Sequence, residues 1–70
     1  MKTKEACYVV YNETQRLFVS ESAVSYTPSE IVPIDGQTAR VIAERERENN
    51  PDDEIRILFY DEAVDMWMQW

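Results

Sequence analysis

Nucleophilic chemistry in this chain would have to start from Cys7, its one thiol, or from a serine beside a base. Neither arrangement can be assembled. The 70 residues include no histidine, so the usual group for drawing a proton from a thiol or hydroxyl is missing. Cys7 lies in an apolar run, Ala6-Cys7-Tyr8-Val9-Val10-Tyr11, where a free cysteine behaves as a small hydrophobe. Ser20, Ser22, Ser25 and Ser29 are scattered through a polar segment of the kind in which serine is simply common.

Carboxylates come closer together. Asp52-Asp53-Glu54 and Asp61-Glu62 are neighbours in sequence, but acid–base work needs a buried cleft to shift their pKa values. A chain this short has little volume to enclose one. Solvated charges at strand ends are the simpler reading. An EF-hand calcium loop needs alternating oxygen ligands around a central glycine, and Asp52 to Asp65 contains no glycine. One cysteine and no histidine remove the common zinc frameworks. Gly36 stands alone, so no phosphate-cradling loop is written either. The residues therefore name no catalytic group, no metal and no cofactor. The expectation is a protein that binds and is not an enzyme.

The acids carry more information as a surface. Fourteen acidic against seven basic residues give a formal charge of −7. Direct nucleic-acid binding is disfavoured, because affinity for phosphate comes largely from lysine and arginine. Anionic membranes are disfavoured on the same ground. The charge is also uneven: residues 44–65 hold nine acids and three bases, a net of −6. Glu44, Glu46, Glu48, Asp52, Asp53 and Glu54 make an acidic rim that is either a solubilising face or a docking surface for a basic partner. A sharper version is DNA mimicry directed at a nucleic-acid-binding protein. Arg45, Arg47 and Arg56 interrupt the run, whereas duplex DNA presents an unbroken array at about 1.7 Å per charge.

These residues need elements to position them. Ala6 to Tyr11 reads as a strand, Asn12 to Gln15 as a polar turn, and Arg16 to Ser20 as a second strand, together a hairpin. From Glu21 to Pro33 the pattern is lost; Pro28 and Pro33 suit a long surface connection, part of which can form a short edge strand. Asp35 reads as a helix N-cap. Ala39, Ile42 and Ala43 then form a narrow apolar stripe, and Arg40 with Glu44 is spaced for one ion pair. Asn49-Asn50-Pro51 stops the helix, with asparagine suited to a left-handed cap. Glu54 to Tyr60 alternates as a third strand, with Ile55, Ile57 and Phe59 on one face. Asp61 to Trp70 fits two patterns. As a helix, the preferred reading, it is capped by Asp61 with Val64, Trp67 and Met68 on one side; as a strand it alternates.

The expected fold is a small two-layer α+β domain spanning residues 1–70, in the order β-β-α-β plus a short C-terminal helix or strand. A right-handed crossover places three strands in spatial order 2-1-3, antiparallel or mixed. Such a sheet is apolar on both faces, and one narrow helix covers only one. Either the tail covers the other, or another chain does. On the second alternative Met66, Trp67, Met68 and Trp70 form a partner or homodimer contact, since tryptophan is enriched at binding hot spots and methionine suits surfaces that repack.

The longest apolar stretch is six residues, and Met1-Lys2-Thr3-Lys4-Glu5 is followed by no hydrophobic leader, so a cytoplasmic, membrane-free setting is expected. The functional expectation is a small acidic protein-binding inhibitor or adaptor. Compact acidic domains of this kind are frequent among phage-encoded host-takeover and anti-defence proteins, an association by size and charge only, since the residues carry no family motif. A structural homodimer is the alternative.

Overall fold

The computed structural model describes residues 7–69. The hairpin forms as its sequence dictates. β1 (Tyr8–Asn12) pairs antiparallel with β2 (Leu17–Val19), with Val10 opposite Val19 and Asn12 opposite Leu17. Residues 13–16 make the turn, one position later than the polar run suggests, because Asn12 still pairs. Arg16 closes it at φ 58°, the left-handed conformation that returns a four-residue connection to its second strand.

The connection that follows contributes a strand of its own. A tight turn, with Ser20 N–H donating to the Ala23 carbonyl at 2.8 Å, leads into β3 (Val24–Ser25), which pairs with β2. A single 3-10 turn at Pro28–Glu30 comes next. Ile34 then returns to β1, exchanging both backbone hydrogen bonds with Tyr8 at 2.8 and 2.9 Å. α1 (Gly36–Asn49) opens on Asp35, whose carboxylate accepts from the Thr38 amide at 3.2 Å. It stops at Asn50, where the expected left-handed cap is not adopted. Asn50 has φ −133°, and instead its amide donates to the Glu46 carbonyl at 2.8 Å.

β4 (Ile55–Phe59) pairs antiparallel with β1 along its whole length. The sheet order is β3-β2-β1-β4. The three longer strands thus take the anticipated arrangement. The expected three-stranded sheet gains a fourth strand from the connection, and every pairing is antiparallel.

Each face of the sheet has its own core. On one, Val10, Val19 and Ile55 pack against Ala39, Ile42 and Ala43 of α1, the stripe predicted from spacing. On the other, Val9, Tyr11 and Phe18 pack against Ile31 and Ala63. Ala63 belongs to α2 (Tyr60–Met68), so the C-terminal segment is helical and lies over the second face. Asp61 is not its cap. The helix starts directly from β4 at Tyr60, whose amide donates to the Cys7 carbonyl at 2.7 Å, and Asp61 sits in the first turn. That early start sets the phase. Ala63 and Met66 pack on the second core, and the expected stripe does not form one buried side. Val64 is half-buried, Trp67, one turn beyond Ala63, is partly exposed, and Met68 is exposed.

Candidate interaction surface

The acidic rim separates into two kinds of residue. Glu44, Glu48, Asp52 and Glu54 are exposed, on the C-terminal half of α1 and the loop leading into β4. Glu46 and Asp53 are half-buried and engaged within the fold. The Glu46 carboxylate accepts from the Asn50 side-chain amide at 3.4 Å. Asp53 accepts from Asn12 Nδ2 at 2.9 Å and Gln15 Nε2 at 2.7 Å, so it ties the loop before β4 to the β1–β2 turn. Two further bonds run across the same junction. The Glu54 amide donates to Thr14 Oγ1 at 2.9 Å, and the Glu13 amide donates to the Glu54 carbonyl at 2.8 Å. Asn12, Thr14 and Gln15 are the residues that a reading of the sequence passes over.

Cations thin the rim at one point. Arg56 Nε lies 3.0 Å from Glu13 and 3.6 Å from Glu54, all well exposed, so the bridges are worth little in stability but neutralise part of the surface. The anticipated Arg40–Glu44 pair does not close among the described residues. Arg47 turns to the sheet instead, donating to the Ile55 carbonyl at 3.0 Å.

The C-terminal cluster is divided as well. Met66 packs against the second core, whereas Trp67 is 37% and Met68 71% exposed. Trp70 lies outside the described residues. Among the described residues two concavities stand out. One, of about 420 Å³, is lined by Cys7, Pro33, Phe59, Tyr60 and Asp61. The other, of about 240 Å³, is lined by Tyr11, Glu13, Arg16, Arg56 and Met66. In the second, burial pushes the Tyr11 phenol above its ordinary value; Arg16 opposes the rise and Glu13 adds to it. The acidic rim enters these concavities at neither Asp52–Glu54 nor the α1 glutamates.

A further exposed feature is β4 itself. It is one of the two edge strands of the sheet, and Ile57 and Phe59 are 38% and 55% exposed on the face that α1 shares. Phe59 keeps one stacked neighbour, Tyr8, at 5.0 Å between ring centres. The order 2-1-3 already put this strand at an edge; its alternation gave no measure of how far α1 would leave it uncovered. Among the described residues no three His, Cys, Asp or Glu side chains gather into a metal-binding group, and no helix is long and apolar enough to cross a membrane. No protein-family model, curated protein or solved structure matches the chain.

Proposed function

We propose that this chain is a small acidic protein-binding module, an inhibitor or adaptor that docks onto a basic surface of a partner protein. One observation carries the reading: Glu48, Asp52 and Glu54 stand exposed on a continuous stretch of helix end and loop that a hydrogen-bonded junction holds in place. A loop whose backbone is held before contact loses little loop entropy on binding, and the field of its acids steers basic partners toward it. Trp67 and Met68, exposed on α2, offer an apolar contact of the kind that supplies binding energy. Compact acidic domains of this size are frequent among phage-encoded host-takeover and anti-defence proteins, and that association by size and charge alone is the only support for such an origin. DNA mimicry is the less supported form, since Arg45, Arg47 and Arg56 break the acidic array.

Affinity capture from the native host followed by mass spectrometry tests the proposal, with Glu48, Asp52 and Glu54 all reversed to lysine as the control. The expected result is one stoichiometric partner, lost from the reversed variant and weakened by salt. A partner held equally well by both proteins, or no partner beyond the chain itself, overturns it.

A further inference from the structure

The two edges of the sheet are unlike. β3 is two residues long and is followed by Pro28, so it offers almost nothing to pair with. β4 is five residues long, in unbroken register with β1, and contains neither proline nor lysine. Natural sheets ordinarily blunt such an edge with proline, charge or a cover. Here the charge is Arg56, on the opposite face from Ile57 and Phe59 and paired with Glu13 and Glu54, and Arg47 reaches only the Ile55 end.

Its backbone direction follows from the ladder. Glu13 donates to Glu54 and Tyr60 donates to Cys7, which fixes the hydrogen-bonded positions of the β1–β4 pair at alternate residues. Tyr11 with Arg56 and Val9 with Leu58 are therefore the bonded pairs between them. The amides and carbonyls of Ile55, Ile57 and Phe59 consequently point outward. The Ile55 carbonyl accepts from Arg47; the others have no described partner. Beside them stand the exposed side chains of Ile57 and Phe59.

We propose that two copies of this chain join edge to edge through β4, antiparallel, about a two-fold axis at Ile57. In that register Ile57 exchanges both backbone hydrogen bonds with its own counterpart. Ile55 and Phe59 of each copy pair with Phe59 and Ile55 of the other. The Ile55 carbonyl takes the incoming Phe59 amide on its second lone pair, beside Arg47, and the apolar side chains left open in one copy are covered.

The helix above the edge is self-complementary in the same register. Arg40, Glu44 and Arg47 lie at i, i+4 and i+7 on one flank of α1, and the reach of Arg47 to Ile55 places that flank over the free edge. At the other end Gly36 lies against the Tyr8 ring, and Tyr8 is opposite Phe59. Ile57 is thus level with the middle of α1, near Ile42. A two-fold axis there sets Arg40 of one copy against Glu44 of the other, twice. Both are exposed, and neither has a described ion-pair partner within its own chain. Strands are spaced about 4.8 Å apart, so a helix seated between β1 and β4 comes within about 10 Å of its counterpart, the ordinary distance for packed helices.

Sedimentation equilibrium over a dilution series tests this, with circular dichroism to confirm that each variant folds. The wild type is expected to show a monomer–dimer equilibrium and nothing larger. Ile57→Pro removes an outward amide without touching the β1 ladder, and edge strands tolerate proline there, so it should leave a folded monomer. Arg40→Glu alters only an exposed helix position. Two-fold symmetry doubles its effect, and it should weaken the dimer about tenfold. Adding Glu44→Arg restores the pairs and should restore the dimer. A wild type that stays monomeric at about millimolar concentration, open-ended oligomers, or a dimer indifferent to Arg40→Glu each overturns the proposal. Glu48, Asp52 and Glu54 are not used here, so self-association and capture of a basic partner succeed or fail independently.

Discussion

At the scale of single residues, the acid with most to do inside the fold is Asp53. One of its oxygens accepts from both Asn12 and Gln15, and Asn12 is buried. Replacing Asp53 by alanine strands the Asn12 amide, and a buried donor left without a partner costs about 1–3 kcal/mol. A urea titration of Asp53→Ala should show that loss, while Asp52→Ala, on an exposed neighbour, should leave the midpoint unchanged. Nothing in the sequence distinguishes these two aspartates. The partners of Asp53 are 41 and 38 positions away, so its role exists only once the β1–β2 turn meets the loop before β4. Tyr11 carries the clearest pH signature. Burial raises its phenol above 10.0, so the unfolded chain ionises first. Its contribution to stability is complete below about pH 10 and is lost as pH climbs through the folded value. Unfolding midpoints of the wild type should therefore fall more steeply above pH 10 than those of Tyr11→Phe. Identical alkaline slopes for the two proteins would remove burial of this phenol from consideration.

At the scale of elements, α1 was legible because every signal agreed: cap, stripe and stop occur in order, and the structure places them at Asp35, Ala39–Ala43 and Asn50. Its first residue leaves room for improvement. A Cβ at Gly36 would sit 3.4 Å from the nearest Tyr8 ring atom, an ordinary contact, and a glycine there only adds freedom to the unfolded chain. Gly36→Ala should stabilise by about 0.4–1 kcal/mol, whereas Asp35→Ala, which removes the cap, should destabilise by about 0.5–2 kcal/mol. Thermal melts of the two variants should move in opposite directions. α2 was harder to read, because Val64 to Trp70 satisfies a period of two as well as a helical spacing. What decided it was tertiary. The apolar second face, with Val9, Tyr11 and Phe18 all buried, needed a cover, and a chain leaving β4 at Tyr60 without a loop reaches it as a helix. β3 was legible only as part of the long connection, since two residues held by pairing with β2 leave no pattern.

At the scale of the whole molecule, the fold stands on a sheet whose two faces are covered unequally. α1 brings a buried stripe of three residues to its side; α2 brings Ala63 fully and Met66 in part. A domain this size rarely holds more than about 3–5 kcal/mol in its core. The thinner cover is therefore not dispensable. Deleting Met66 to Trp70 leaves α2 six residues, Tyr60 to Asp65, too short to hold a helix without the packing that Met66 helps to supply. The loss should be about 2 kcal/mol or more, as for other core truncations, and should open Phe18 and Val9 to solvent. The truncated protein should accordingly unfold at lower denaturant and bind a hydrophobic dye under native conditions. Met68→Ser provides the contrast. Met68 is exposed, so this change should alter stability by under about 0.5 kcal/mol, and any loss of partner capture it causes reports on the surface alone. If the truncated chain melts like the wild type and takes up no dye, α2 is an appendage to the second face and the sheet must be stable without it.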